Sequence, residues 1–306
     1  MQHNVIHGSV IHGSEHRLMR LTVGYLYTDT GDDGVNLAIA IAATTGAAID
    51  LVCVVRTIEP DGTPGRAGFQ QALVNKAQKW LEEGAEDIPD DIEVVLHTPV
   101  AESFPQALID FAVQSEATMI VVGGTSDGIL GKHTLGSISS ALTHASPVPV
   151  ALAPRGYKRS EPPVIPTLTV AIPTTESKDS PLPFALDMAQ KAGLNLRLLS
   201  LVSHDDVPGA DDESKAVRQR HIAAATENLE LAKKSCGGAV EIESLVAEGN
   251  TVEEALEQLT WSRGDVVVIG SGHLAPPRRA FLGSMSARIL KNTEAPIVVV
   301  PKGYTP

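Results

Sequence analysis

The sequence predicts an α/β fold of two tandem Rossmann-like domains, each a five-stranded parallel sheet with helices on both faces. Three observations carry that reading. The chain repeats itself at a constant offset, short apolar strand-like runs alternate with helical periodicity, and helix-stopping glycines recur at matching places.

The repeat is plainest in VVGGTSDGILGKHTLGSISSALTHASPVPVALAPRGY, residues 121–157, and VIGSGHLAPPRRAFLGSMSARILKNTEAPIVVVPKGY, residues 268–304. Gly123, Gly136, Ser137, Pro149, Pro154, Gly156 and Tyr157 recur as Gly270, Gly283, Ser284, Pro296, Pro301, Gly303 and Tyr304, always 147 residues on (270 − 123 = 147). The same shift carries Leu21-Thr22-Val23 onto Leu168-Thr169-Val170, Ala38 onto Ala185 and Gly46 onto Gly193. Register held over such a length defines a tandem duplication. The domain reading is a tail over 1–20, a first domain over 21–157, a linker over 158–167 with three prolines, and a second domain over 168–306.

Within each copy, first strands are read at 21–27 and 168–173. Helices follow over VNLAIAIAATTG and PLPFALDMAQKAG, closed by Gly46 and Gly193. Second strands lie at 49–55 and 196–202, with helices around 67–84 and 212–235. IEVVLH and VEIESLV are third strands, SFPQALIDFAVQSE and TVEEALEQLTWSR third helices, and MIVVG and VVVIG fourth strands. Helices from Ser137 and Ser284 lead to fifth strands at 148–153 and 297–300. Alternating strands and helices imply right-handed crossovers and a parallel sheet covered on both sides. PVALAP and PIVVVP would leave open edges, so these two strands are expected to meet around a pseudo-twofold axis.

At 306 residues the chain is long enough for two domains, each expected to bury its own core. Its 43% hydrophobic and 20% charged residues are globular values. A net charge of −13 argues against a nucleic-acid or anionic-membrane binder, because the overall field repels phosphate. Any phosphate must be held by local groups. No apolar run approaches a membrane span and no signal-peptide core opens the chain, so a reduced, cytoplasmic protein is expected. Cys53 and Cys236 form no CxxC pair, and Cys53, in an apolar strand, reads as core. His3, His7, His12 and His16 crowd the tail; the spacing suits either a transition metal or a tail without partners. Trp80 and Trp261 lie on amphipathic helices and read as packing residues.

Ligands of such sheets bind beyond the carboxyl ends of the strands, where strand order reverses. The glycine framework leads from that end of the fourth strand into the fourth helix. Glycines let backbone N–H groups approach an oxyanion, and a helix N-terminus adds unpaired donors and partial positive charge. Ser137 and Ser284 can cap the helix or donate to a phosphate. Lys132 and Arg279 occupy equivalent loop positions and suit charge neutralisation or plain solvation. The same framework also serves as a purely structural strand–turn–helix junction.

In these residues the chain resembles the universal stress protein family, in its tandem form and with an adenine nucleotide alpha hydrolase-like fold. Nucleotide-binding members carry Gly, two residues, Gly, nine residues, then Gly with Ser or Thr. Here the copies read Gly123, Ser126, Gly136-Ser137 and Gly270, His273, Gly283-Ser284, so the outer glycines match and the middle one is replaced twice. ATP-binding relatives carry an Asp at the end of the first strand; the repeat aligns Thr28 and Thr175 there, with Asp29 next to Thr28. The resemblance implies an ATP site, with Mg²⁺, made of Gly123, Ser126, Lys132, Gly136, Ser137, Thr28 and Asp29. A second, weaker site comprises Gly270, Arg279, Gly283, Ser284 and Thr175. Ser126 is small, whereas His273 is bulky and Pro276 and Pro277 remove donors, so the first copy is the favoured binder.

It further implies a cytoplasmic, stress-responsive regulator or sensor rather than a dedicated catalyst, its domains paired within the chain and open to homo-oligomer formation. The competing class is an interaction module with vestigial pockets. Gly124-Thr125-Ser126-Asp127-Gly128 spells a nucleophile elbow, but that motif needs a helix starting at the serine, and ILGKHTLG reads as loop. A serine esterase is disfavoured. TDTGDDG, residues 28–34, is acidic where a nucleotide-activating ligase would place a phosphate loop.

Overall fold

The computed structural model describes residues 19–57, 66–124, 133, 136–159, 164–174, 180–205, 211–262, 264–271 and 283–306. The tail histidines, Ser126, Lys132, Thr175, His273, Pro276, Pro277 and Arg279 lie outside the described residues.

The first repeat runs β1 (Arg20–Gly24), α1 (Asp29–Thr45), β2 (Ala48–Val52), β3 (Val55–Arg56), α2 (Arg66–Ala85), β4 (Val94–His97), β5 (Val100–Ala101), α3 (Phe104–Gln114), β6 (Met119–Gly123), α4 (Ser137–Ala145) and β7 (Val150–Ala153). A 3-10 turn at Tyr157–Arg159 follows. The second repeat runs β8 (Thr167–Ala171), α5 (Leu182–Ala192), β9 (Asn195–Ser203), α6 (Asp212–Ser235), β10 (Ile242–Gly249), α7 (Val252–Glu257), β11 (Val266–Gly270), α8 (Ser284–Asn292) and β12 (Ile297–Val300). Strands β3 and β5 form a small parallel ribbon of their own.

The other ten strands make one sheet, ordered β10-β9-β8-β11-β12-β7-β6-β1-β2-β4. Every neighbouring pair is parallel except β7 with β12. Each half therefore has the order third-second-first-fourth-fifth, reversing between β1 and β6 and between β8 and β11. The seam pairs Val150 with Val299, Ala151 with Val298 and Leu152 with Ile297. Ala151 and Val298 are themselves repeat equivalents (298 − 151 = 147), so the pseudo-twofold axis passes through that pair. The expected meeting of fifth strands is what the structure contains.

Both faces of the sheet are covered. Apolar residues of α1, α2, α5 and α6 fill one layer, and those of α3, α4, α7 and α8 the other. Double coverage explains why β2, β7 and β12 are buried along their whole length, and why β7 and β12 read as unbroken apolar runs. Here one expectation needs correcting. The two repeats do not keep separate cores; each layer continues across the seam, joining Ile41 of α1 to Met188 of α5 on one face and Leu152 to Ile297 on the other. Antiparallel pairing of two fully buried edge strands removes the boundary between the cores.

Two helices also differ from their sequence reading. Helix α1 opens at Asp29, six residues before the apolar periodicity begins, because Thr28 caps it and its early carboxylates suit the positive helix end. Its stop, Gly46, and that of α5, Gly193, take the left-handed conformation at φ 72° and 67°. Helix α7 ends at Glu257, short of Trp261. The chain beyond it is drawn into a turn by the buried Asp265 carboxylate, which accepts from the Ser262 N–H at 2.7 Å. Trp261 packs as expected, but from this turn rather than from a helix.

Candidate functional site

The reversal point of the first repeat lies between the ends of β1 and β6, and α1 sits directly on it. A Cβ placed on Gly123 would come within 1.8 Å of the Thr30 carbonyl oxygen, and one on Gly34 within 2.9 Å of the Gly123 nitrogen. A Cβ on Gly31 would strike the Leu26 carbonyl oxygen at 1.9 Å. The glycines in TDTGDDG are therefore close-approach residues of a helix, where the sequence reads as a polar turn. Gly123 has a packing reason to be glycine that is independent of any ligand.

The expected nucleoside contacts stand at this helix start. The Thr28 hydroxyl accepts from the Gly31 N–H at 3.2 Å, capping α1, and Asp29 follows in the first turn, exposed. Asp33, only 2% exposed, accepts from the backbone N–H groups of Gly156 (2.7 Å) and Lys158 (2.8 Å). Burial raises the Asp33 carboxyl above its ordinary pKa, against the pull of those two donors. Asp32 accepts from the Tyr25 hydroxyl at 3.2 Å and from Lys158 Nζ at 3.2 Å, and Lys158 also reaches Asp87. The acidic turn is thus a clasp on the end of the first repeat.

The start of α4 follows β6 on the other face of the sheet. The sequence allows Ser137 to cap it; instead Gly136 occupies the cap position, extended and without a side-chain cap, and Ser137 is exposed at the first helical position. Gly283 and Ser284 repeat the arrangement at α8. Among the described residues, the first N–H groups of both helices consequently have no side-chain cap, which is the feature that suits an anion. The residues that sequence reasoning missed are Ser139 and Ser286. Their hydroxyls donate to the carbonyls of Gly123 (3.2 Å) and Gly270 (2.8 Å), tying each helix start to its strand end. Gly-Ser-x-Ser, spelled in both copies, was the available signal.

The second repeat is built differently around the same frame. Pro181 stands where the first repeat has Gly34, and Ser180 where it has Asp33; α5 is capped late, at Pro181. Arg288 of α8 joins α7 and the end of β9: its Nε donates to Glu253 at 3.0 Å and its Nη1 to Asp205 at 2.8 Å. Those bonds hold the Glu253 carboxyl well below the usual carboxylate range. Beside this clamp His204, buried, pairs through Nε2 with Glu248 at 2.8 Å. The first repeat has Ala141 in place of Arg288 and Gln106 in place of Glu253, so the clamp occurs once.

Other polar groups belong to the scaffold. Asp50 of β2 accepts from Arg20 Nε (2.9 Å) and Nη2 (2.7 Å), and lies 2.9 Å from His97 Nε2. Burial alone would raise its carboxyl, but the bonds from His97 and Arg20 outweigh that and keep it below the ordinary value. Cys53 and Cys236 are buried free thiols, and burial pushes Cys53 up to about 11. Among the described residues no group of three His, Cys, Asp or Glu is placed to hold a metal, and no helix is long and apolar enough to cross a membrane.

Two α/β repeats with reversed strand order and paired fifth strands define a tandem member of the Rossmann-like class. A model of the universal stress protein family matches residues 18–154 and again 166–301. The chain belongs to the universal stress protein family, as two tandem domains. A universal stress protein of Mycobacterium tuberculosis is 25% identical over 297 residues, covering 92% of this chain and all of that one. Another, from Mycolicibacterium smegmatis, is 26% identical over 200 residues, covering 65% of this chain and 66% of that one. Among solved structures, a universal stress protein from Archaeoglobus fulgidus covers 93% of this chain and 98% of its own at 18% identity, with a TM-score of 0.65, and shows the shared fold.

Proposed function

We propose that this protein is a cytoplasmic ligand sensor of the universal stress type, and that its first repeat holds an adenine nucleotide. The phosphates rest on the start of α4 and the nucleoside lies toward Thr28 and Asp29. The observation that carries the reading is the opening of α4: a glycine cap with no side-chain acceptor among the described residues, at the point where strand order reverses. Gly123 brings the strand end close to that opening, and Ser137, Ser126 and Lys132 supply further donors. The carboxylates of the α1 wall and the net charge of −13 oppose a bare polyphosphate. Mg²⁺ therefore accompanies the nucleotide. The second repeat, with Gly270, Arg279, Gly283, Ser284 and Thr175, takes nucleotide weakly and serves chiefly as the structural partner. On this reading the output is a change of state rather than turnover. The domain limits proposed are 21–157 and 168–306, joined by 158–167.

Thermal unfolding with Mg-ATP tests this. Ligand at about a hundred times its dissociation constant adds roughly 2.7 kcal/mol to the folded state. For repeats of this size that is a Tm increase on the order of 2–4 °C per kcal/mol. Gly136 has φ −76°, which any residue adopts, so Gly136→Val leaves the backbone unstrained while covering the helix start. That variant loses the Tm increase, whereas Gly283→Val keeps most of it. An unsubstituted protein whose Tm ignores millimolar Mg-ATP refutes the reading and favours a module that works through its surfaces.

A further inference from the structure

The start of α4 is held from outside its own repeat. His133 lies three residues before Gly136, and its imidazole is 5% exposed. Its Nε2 stands 2.7 Å from the carbonyl oxygen of Ala295, 162 residues further along the chain. A carbonyl only accepts, so Nε2 carries the hydrogen. Burial pushes the imidazole pKa down to about 4, with the carbonyl pulling weakly the other way, so the ring is neutral at ordinary pH.

Ala295 sits between α8 and β12, two residues before the strand that pairs with β7 across the seam. The bond therefore links the entry of the first repeat's anion-ended helix to the approach of the second repeat's seam strand. Ser139 ties the same helix start to Gly123 on its other side. Two fixed points, one in each repeat, set where the first N–H groups of α4 lie. The repeat equivalent of His133 is Ala280 (133 + 147 = 280), whose methyl group has no donor. The second copy therefore carries no matching imidazole at this position.

We infer that His133 is a positioning residue that fixes the start of α4 in the first repeat against the β12 approach of the second, so that the first crevice is shaped by both repeats and its occupancy is transmitted to the β7–β12 seam. The transmission rests on the nucleotide reading of that crevice; the pin itself does not. An anion drawing on the α4 N–H groups reinforces the helix start, and a rigid His133–Ala295 bond passes that restraint to β12. Among the described residues nothing equivalent connects the start of α8 to β7.

Hydrogen exchange on the full chain tests both parts. Without ligand, His133→Ala raises exchange at Ala295 and Ile297–Val299 and at the first turns of α4 on the order of tenfold, the size of one buried hydrogen bond. Exchange in α2 and α5 stays unchanged. His133→Gln, whose side-chain amide donates with similar reach, restores most of the protection; a general packing defect would not be rescued this way. With Mg-ATP, the unsubstituted protein gains protection in β12 as well as in α4, and His133→Ala gains it in α4 alone. Equal unliganded exchange in His133→Ala and the unsubstituted protein overturns the pin. Nucleotide binding that protects α4 but leaves β12 unchanged in the unsubstituted protein overturns the transmission alone. Absence of any nucleotide binding removes the transmission together with the proposed function, while the unliganded exchange still decides the pin.

Discussion

The two repeats share strand order and seam, yet at the crevice they part company over a few residues. In the first, Gly31, Gly34 and Gly123 let α1 begin early and lie against the end of β6, bringing Asp33 down to clasp Gly156 and Lys158. In the second, the positions of Gly31, Asp33 and Gly34 hold Lys178, Ser180 and Pro181, and the helix starts only at Leu182. Its upper edge is braced instead by Arg288 between Glu253 and Asp205. A duplicated frame has thus been closed by backbone packing in one copy and by ion pairs in the other. Backbone packing excludes water and tolerates almost no added atom. Half-exposed ion pairs are screened and tolerate change. The first crevice should accordingly be the rigid one and the second the adaptable one.

The largest effect that would break this contrast is an exchange of residues between copies. Gly34→Pro puts a ring inside α1, removes an N–H and drives atoms toward the Gly123 backbone, so it should destabilise the protein by more than about 3 kcal/mol. Pro181→Gly, the reverse exchange at a helix cap, should lower stability by no more than about 1 kcal/mol, chiefly through the unfolded chain. Urea midpoints measure both. Similar losses at the two sites would show that the repeats are closed in the same way after all.

Acid comes next. His133 binds its proton at about 4 when folded, against about 6.5 in the unfolded chain. The unfolded state therefore holds more protons between those values, and stability falls as the pH drops from about 6.5 to 4. The loss is at most about 3 kcal/mol, at 1.36 kcal/mol per pKa unit. Asp33, raised by burial, works in the opposite sense, so the difference between the unsubstituted protein and His133→Gln isolates the imidazole. Parallel stability–pH curves for the two proteins would remove His133 from the account.

The smallest effect compares sheet positions 147 residues apart, Asp50 and Arg197. Removing Asp50, whose side chain is 3% exposed, takes an acceptor from both His97 and Arg20 and leaves Arg20 only the more exposed Glu93 at 3.5 Å. Asp50→Ala should lose about 2 kcal/mol, less than a fully buried pair because both partners reach solvent. Arg197 meets an exposed Glu243 at 3.3 Å, and Glu243→Ala should change stability by under about 0.5 kcal/mol. Denaturant titration of the two variants checks the ranking; equal losses would place the first repeat's charge cluster on the same footing as a surface pair.

Much of this molecule is legible in its residues. The fourth strands, the fifth strand of the second copy and the glycine stops of α1 and α5 follow from apolar runs and from the left-handed preference of glycine, which are local properties. The seam follows from a different argument, that two apolar terminal strands need cover. The early start of α1 was hidden because Gly31 and Gly34 carry two meanings, turn or close approach, and only a neighbour such as Gly123 decides between them. The short α7 was hidden because Asp265, outside the helical pattern, captures the chain behind it. Likewise, Gly-Ser-x-Ser marks both crevices, yet nothing local distinguishes an exposed Ser137 from a Ser139 bonded to the strand end.

What the sequence alone determined is the repeat, its 147-residue register, the family, the alternation of strand and helix, and which end of the sheet carries the glycine framework. These rest on periodicity and on residue-level conformational preference, which act over a few positions and survive in any context. What only the tertiary structure decided is the single sheet with continuous core layers, the capping glycines without side-chain acceptors, the acidic clasp, the Arg288 clamp and the reach of His133 to Ala295. Each joins residues from 16 to 162 positions apart, or depends on the absence of a partner. Such contacts are set by how close two backbones come once both faces of the sheet are filled, and that distance is a property of the packed whole.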